Sequence, residues 1–182
     1  MPMKPAAIVF AILFSTLLAG CERPPVNRDL SRPLATVGNV DIARYAGRWY
    51  EIARFPNGFE TDCVAVTATY AANGDGSLKV TNRCRKKAFD GPEEVAEGRA
   101  RVVDAATNAK LAVTFFWPFE GDYWVLALAP DYSWAVVGEP SGRYLWILSR
   151  SPKISPELRA DLVKWLEGQG YKTRALYWTP QP

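Results

Sequence analysis

Histidine is absent from the 182-residue sequence. Histidine is the commonest general base and the commonest zinc ligand in proteins, and it activates the serine or cysteine of many nucleophile pairs. Its absence excludes Ser-His and Cys-His catalysis and removes most kinds of zinc site. We therefore predict a protein that is not an enzyme, with no catalytic residue, no metal site and no cofactor.

A large excess of charge is also absent, since 22 Lys and Arg stand against 19 Asp and Glu, for a net charge of +3. The one compact basic run comprises Arg83, Arg85, Lys86 and Lys87. Such a short run is more typical of the solvated end of a hairpin than of a nucleic-acid surface. We therefore expect no nucleic-acid partner.

Long apolar runs are missing as well. The apolar stretch from Ala6 to Leu18 has 13 residues, whereas a helix needs about 20 to cross a bilayer. It follows one positive charge, Lys4, and leads through small residues to Cys21, an arrangement typical of an export signal. This stretch therefore predicts export rather than a membrane span.

The end of that stretch, Leu18-Ala19-Gly20-Cys21, resembles the lipobox of bacterial lipoproteins. The resemblance implies cleavage before Cys21, a diacylglycerol on its thiol, and a further acyl chain such as palmitate on the new amino terminus. Glu22 stands where a signal for retention at the inner membrane usually has aspartate. The resemblance therefore favours a lipid anchor in the bacterial outer membrane, with the folded domain facing the periplasm.

These features divide the chain into three parts. Residues 1–20 are predicted to be a lipoprotein signal peptide, residues 21–40 a lipidated tether and extended N-terminal arm, and residues 41–182 a folded domain. The second part is rich in proline and has little periodicity, which favours a flexible tether. Cleavage would leave 162 residues, enough for a single domain with a sizeable core.

Outside the lipobox, cysteine is limited to Cys63 and Cys84. In an exported chain such a pair is a candidate disulfide. If Asn73-Gly74 forms a two-residue type I′ turn, the two cysteines face each other across a hairpin. A turn at Asp75-Gly76 would instead place Cys63 opposite Ala88, and two buried, reduced thiols are the other alternative.

Strand-forming residues are abundant. From Arg48 onward, segments rich in β-branched and aromatic residues recur between turn residues. Their short connections imply an antiparallel meander, and eight such strands close most economically into a barrel with room for one small ligand. The predicted strands span residues 48–55, 63–71, 77–86, 93–103, 109–116, 122–129, 133–138 and 143–149.

One later segment has helical periodicity. Serine, proline and glutamate at residues 155–157 suit the start of a helix, and Leu158 and Leu162 begin an apolar stripe at helical spacing. We predict a helix of about 12 residues against the barrel wall, and a final strand within 171–178. The predicted fold class is all-β: an eight-stranded antiparallel up-and-down barrel with one C-terminal α-helix and a short final strand.

Three separated motifs resemble the signatures of the lipocalin family. They are Gly47-Arg48-Trp49 at the start of the first strand, Pro130-Asp131-Tyr132 between the sixth and seventh, and the run from Tyr144 to Arg150 in the eighth. Their order and spacing resemble the family over residues 40–180. The most similar group is the bacterial outer-membrane lipoprotein lipocalins, related to apolipoprotein D and the plant temperature-induced lipocalins. The resemblance implies a calyx-shaped barrel.

By the same resemblance, Gly47, Trp49, Asp131, Tyr132 and Arg150 form a structural motif that closes one end of the barrel. The chemistry of these residues agrees with that role. Glycine permits a close approach of the backbone before the first strand. A guanidinium can lie on an indole ring while it donates hydrogen bonds to nearby carbonyls.

The predicted ligand-binding residues are Tyr123, Trp146 and Tyr144. Side chains alternate along a strand, so Tyr144, Trp146 and Arg150 share one face. If Arg150 marks the floor, Trp146 and Tyr144 lie progressively nearer the mouth. The family pattern points Tyr123 inward as well. Ordinary packing in a filled barrel is the alternative for each of the three.

Three functions follow from these predictions. The favoured one is a membrane-anchored module that stores or transports a fatty acid, lysophospholipid or similar amphiphile in the cell envelope. The second is an envelope interaction protein with a filled barrel. The third is an enzyme with Cys63 as nucleophile, which the missing histidine disfavours. The expected partners are the amphiphile and the membrane, and the sequence leaves a homodimer open.

Overall fold

The computed structural model describes residues 23–182, so the predicted signal peptide and Cys21 lie outside the described residues. The described chain folds into a closed antiparallel barrel with a helix on its outer wall. None of its helices is both long enough and apolar enough to cross a membrane. The elements are α1 Ile42–Tyr45, β1 Gly47–Arg54, β2 Cys63–Ala72, β3 Leu78–Lys86, β4 Glu93–Val102, β5 Lys110–Phe116, β6 Phe119–Leu128, β7 Trp134–Gly138, β8 Leu145–Ser149, α2 Pro156–Gly168, a 3₁₀ turn Thr173–Ala175 and β9 Tyr177–Trp178.

Strand β1 closes the barrel. Strands β2 to β8 pair in chain order, and β1 completes the ring between β8 and β2. The far end of β1 also pairs with β9, where Ala53 faces Trp178. Closure leaves the eight barrel strands without a free edge along the ring. The predicted eight-stranded up-and-down barrel is confirmed.

Alternating connections define the two ends of the barrel. Helix α1 and the β2–β3, β4–β5 and β6–β7 connections lie at one end, which we call the closed end. The β1–β2, β3–β4, β5–β6 and β7–β8 connections lie at the other, which we call the mouth. The two ends therefore differ in which loops they carry.

The structure corrects the predicted β2–β3 hairpin. The turn spans five residues, Asn73 to Ser77, rather than two, and Asp75 Oδ1 accepts hydrogen bonds from the Ser77 amide and hydroxyl. A bulge next to Val64 shifts the register again. Cys63 consequently faces Lys86 rather than Cys84. The predicted facing pair is wrong, because a longer turn and an extra residue change the register.

Other strand boundaries also differ from the prediction, and the two largest differences are in β6 and in the final strand. Strand β6 begins at Phe119, because Phe116 pairs with Phe119 across a turn of only Trp117 and Pro118. The final strand is limited to Tyr177–Trp178, since the 3₁₀ turn occupies the segment before it.

Helix α2 begins as the sequence predicted. The Ser155 hydroxyl accepts a hydrogen bond from the Leu158 amide at 3.1 Å, which caps the first turn. Leu162 and Leu166 are buried against the outer wall of the barrel, in a cluster that includes Ile147 of β8. A second, interior cluster surrounds Trp49. The barrel is therefore packed from both faces of its sheet.

The N-terminal arm, residues 23–40, runs along the outside of the barrel between its two ends. At the mouth, the Asn27 amide donates to the Gly142 carbonyl at 2.8 Å. At the closed end, the Val40 amide donates to the Thr107 carbonyl at 2.7 Å. The first described residues consequently lie at the mouth.

Candidate functional site

The candidate site is a cavity of about 610 Å³ inside the barrel. Pockets that bind small molecules typically have volumes of roughly 300–1,000 Å³ and mainly apolar walls. The volume of this cavity lies in that range, and most of its wall is apolar or aromatic. Its apolar and aromatic lining comprises Phe59, Val66, Ala68, Tyr70, Val80, Ala96, Val113, Phe115, Phe116, Phe119, Tyr123, Tyr144, Trp146 and Leu148.

The closed end is sealed by Trp49 and Arg150. Trp49 is fully buried, and its indole nitrogen donates to the Tyr45 carbonyl at 2.8 Å. The Arg150 guanidinium lies 3.7 Å from the centre of the indole ring. It also donates to four carbonyls at 2.7–3.1 Å, those of residues 44, 45, 46 and 48. The Arg150 side chain thus stacks on Trp49 at the floor of the barrel and donates hydrogen bonds to the carbonyl groups at the end of α1.

The other residues of the closing motif lie at the same end. Gly47 has φ +94°, and a Cβ there would lie 3.3 Å from an Arg150 guanidinium nitrogen. Asp131 Oδ1 accepts a hydrogen bond from the Ser133 amide at 3.0 Å, which holds the β6–β7 turn. The hydroxyl of Tyr132 accepts one from the Asp41 amide at 2.8 Å. These five residues connect three chain segments.

Three tyrosine hydroxyls form the deepest polar group of the cavity. Tyr123 is hydrogen-bonded to Tyr45 at 2.7 Å, and it accepts from Tyr70 at 2.9 Å. Burial raises the pKa of Tyr70 to about 12 and holds the pKa values of Tyr45 and Tyr123 well above their usual range. The phenols are therefore neutral at physiological pH, and the base of the cavity carries no charge from them.

Aromatic rings line the wall near the mouth. The rings of Tyr144 and Trp146 are stacked at 6.0 Å, with an angle of 6° between their planes. Phe59, from the β1–β2 connection, lies 5.7 Å from Tyr144. The Trp146 indole donates to Glu60 Oε2 at 3.2 Å, so a polar contact fixes the ring that faces the cavity.

Two carboxyl groups and one arginine form a buried cluster on the same wall. Arg54 Nη1 lies 2.6 Å from Glu51 Oε1, and Arg54 Nε lies 3.6 Å from Glu60 Oε2. The Thr179 hydroxyl donates to Glu51, and Asn57 donates to Glu60 at 2.6 Å. The Arg54 guanidinium therefore lies within ion-pair distance of both carboxyl groups.

Glu51 is only 2% exposed, and this burial decides its charge. Burial, together with repulsion from the Glu60 carboxylate, raises the pKa of Glu51 to about 8 despite the nearby Arg54. The Glu51 carboxyl is therefore mostly protonated at neutral pH. In that state the cluster holds one anionic and one cationic group, and its net charge is close to zero.

Cys63 and Cys84 are joined as a disulfide, with their Cα atoms 5.5 Å apart. Cys63 and Cys84 do not face each other across the strands, and the bridge joins them diagonally beside the bulge in β2. Together with a Glu94 oxygen the two sulfurs fall within 4.8 Å of one another. Because the sulfurs are bonded to each other, this group lacks the thiolates that bind metals or attack substrates.

The structure brings the three predicted ligand-binding residues, Tyr123, Trp146 and Tyr144, onto the wall of one cavity. Sequence reasoning missed the roles of Glu51, Arg54 and Glu60. Glu51 and Arg54 lie on β1 just after the first motif, but their odd spacing on a strand predicts opposite faces. A bulge between Glu51 and Ala53 changes the alternation and brings both side chains together.

A family model for the lipocalin-like domain matches residues 40–181. The chain belongs to the lipocalin family. The match includes all eight barrel strands, helix α2 and strand β9. The predicted family is thereby confirmed, and this lipocalin is a member of a family whose proteins generally bind and transport ligands.

Curated relatives and solved structures extend this result. The outer membrane lipoprotein Blc of Escherichia coli (strain K12) is 38% identical over 183 residues, which cover 99% of this chain and 99% of that protein. Temperature-induced lipocalin-1 of Arabidopsis thaliana is 39% identical over 159 residues, which cover 82% of this lipocalin and 84% of the plant protein. The structure of insecticyanin from the tobacco hornworm Manduca sexta has a TM-score of 0.65 and 21% identity, and the alignment covers 88% of this chain and 87% of that one. This last similarity shows the shared fold.

Proposed function

We propose that this lipocalin is a lipid-anchored protein of the bacterial outer membrane that stores or transports a single-chain amphiphile, such as a fatty acid or lysophospholipid. The observation that carries the proposal is the cavity of about 610 Å³ with an aromatic wall. The similarity to an outer membrane lipoprotein over almost the whole chain supports the location. The short apolar stretch that leads through small residues to Cys21 supports acylation at that residue.

The polarity of the cavity suggests how the ligand lies. The acyl chain would pack among the aromatic and aliphatic side chains, where burial contributes roughly 0.8 kcal/mol per methylene before the costs of binding. A charged head group would remain near water at the mouth. An anionic head group placed deeper would approach Glu60, whose ion-pair partner Arg54 already contacts Glu51.

The alternatives have less support. The open volume of the cavity argues against a filled barrel. The disulfide removes Cys63 as a nucleophile, which argues against a cysteine-dependent enzyme. A role in binding and transport therefore accounts for more of the structure than either alternative.

Ligand binding is tested by displacement of a fluorescent fatty acid from the purified protein. Trp146→Ala should weaken the affinity about tenfold, equivalent to about 1.4 kcal/mol, because the ring lies on the cavity wall. Trp124→Ala is the matched control, since Trp124 packs in the outer cluster and does not line the cavity. Equal affinities for parent and Trp146→Ala, with both folded, would contradict the proposed site.

Acylation is tested separately by Cys21→Ser. The mass of the parent should exceed that of its cleaved polypeptide by the diacylglycerol and the acyl chain, and the variant should lack this increment. The variant should also be released from washed membranes as a folded protein. Retention of the lipid mass by the variant would refute Cys21 as the attachment site.

A further inference from the structure

The mouth of the barrel carries aromatic side chains that face solvent. Phe116, Trp117 and Phe119 form the tip of the β5–β6 hairpin and are 80%, 89% and 77% exposed. Phe116 and Phe119 are a directly facing cross-strand pair, and Trp117 lies in the turn between them. Single exposed apolar side chains are ordinary, but a contiguous group marks an interaction surface. We call these three residues the aromatic tip.

Neighbouring connections at the same end add to this surface. Phe59 in the β1–β2 connection and Phe89 in the β3–β4 connection are also exposed. Lys87 directly follows β3, two residues before Phe89 in sequence. Aromatic rings accompanied by lysines are typical of surfaces that rest at the interface of a bilayer, where rings lie at the head groups and cations meet anionic lipid.

Some of the charged side chains near the mouth are paired with each other, so the aromatic rings rather than charge define this surface. Glu94 lies 3.0 Å from the Lys86 ammonium, and Glu120 lies 2.6 Å from the Arg101 guanidinium. Two carboxylates of the cavity rim are thus paired with cations of β3 and β4. The aromatic tip is formed by residues beyond these pairs, at the turn of the hairpin.

The N-terminal arm indicates which surface the mouth faces. Arg143, in the β7–β8 connection, donates to the Pro24 carbonyl, so the first described residues lie at the mouth. Cys21 is only three residues before Pro24 in sequence, and three residues span at most about 11 Å. An acyl anchor on Cys21 would therefore hold the mouth, and not the closed end, beside the lipid head groups.

We propose that the mouth docks on a phospholipid bilayer and that the aromatic tip inserts into its interfacial region. The proposal rests on the envelope lipoprotein function proposed above, and it adds an orientation and a second membrane contact. Docking of this kind is weak and reversible, and it supplements the acyl anchor. It places the opening of the cavity against the lipid from which an amphiphile would enter.

The test measures vesicle binding without the anchor. Residues 21–182 carrying Cys21→Ser, which lack the apolar stretch 6–18 and retain the whole described fold, are mixed with vesicles of phosphatidylethanolamine and phosphatidylglycerol and separated by flotation. Replacement of the whole aromatic tip, Phe116→Ser, Trp117→Ser and Phe119→Ser, should lower the partition coefficient at least tenfold. Val103→Ser is the control, because Val103 is exposed at the closed end, and it should leave the partition coefficient unchanged.

A second measurement uses the acylated protein in vesicles with brominated acyl chains. Trp117 fluorescence, taken as the difference between the parent and Trp117→Phe, should be quenched by the bromine. An unquenched Trp117 with an acylated, folded protein would refute docking by the mouth. This measurement does not depend on the stability of the triple variant, since Trp117 is at an exposed turn.

Two other outcomes would overturn the proposal. Equal flotation of the parent and the tip variant would show that the tip does not bind lipid. A tip variant that floats normally but has a lower molecular mass in lipid-free light scattering would assign the surface to a second copy of the chain. Fatty-acid displacement on Trp117→Ser keeps the two proposals apart, because Trp117 does not line the cavity, whereas Phe116 and Phe119 do.

Discussion

Substitution of Glu51 by glutamine should change how the stability of this lipocalin depends on pH. Glu51 is buried beside Glu60, and its pKa is raised from an ordinary value of 4.5 to about 8. Between those two pH values the unfolded chain has released the proton that the folded protein still holds. The folded state therefore binds more protons, and its free energy of unfolding falls as pH rises.

The magnitude follows from the shift. One proton of difference corresponds to a slope of at most about 1.4 kcal/mol per pH unit. The contribution of Glu51 is fully favourable below its unfolded pKa and is lost as pH approaches 8. Glutamine keeps a carbonyl oxygen that can accept from Arg54 and Thr179, but it cannot ionise. Glu51→Gln should consequently flatten the profile between pH 5 and pH 8.

The assay is equilibrium unfolding in urea at intervals from pH 5 to pH 8, with the disulfide intact. The carboxyl groups with lowered pKa values, such as Asp75 and Asp131, are exposed and titrate below this window. Glu97→Gln is the control, because Glu97 is an exposed side chain paired with Lys79 on the outer surface. A flat profile for the parent, or an unchanged slope in Glu51→Gln, would refute the reasoning.

Three further predictions concern stability. Trp49→Ala should lower the free energy of unfolding by roughly 3–5 kcal/mol in urea titration, since it hollows the closed end and leaves the Arg150 guanidinium without its ring. Cys63→Ala with Cys84→Ala should cost about 3 kcal/mol in the chain-entropy model, and thiol titration of the unreduced parent should find neither cysteine free. Ser155→Ala should cost about 1 kcal/mol by removing the cap of α2, whereas an unchanged melting temperature would contradict the capping role.

The sequence by itself determined the fold class, the family and the direction of key side chains. Alternation from Tyr144, the residue before β8, into that strand was enough to align Tyr144 with Trp146, because an extended segment without bulges keeps a period of two. The start of α2 was equally local, since a serine cap and a proline in the first turn act on their own segment. Such features depend on neighbours in sequence, and one sequence therefore reveals them.

Only the tertiary structure decided the features that depend on register and on distant segments. The bulge in β1 brings Arg54 to Glu51, and a loop residue, Glu60, completes the cluster from outside the strand. The pKa of Glu51 follows from this burial and from the second carboxylate, neither of which local sequence encodes. The longer turn after Ala72 likewise moved the β2–β3 register, because pairing is set by turn geometry and bulges across the sheet.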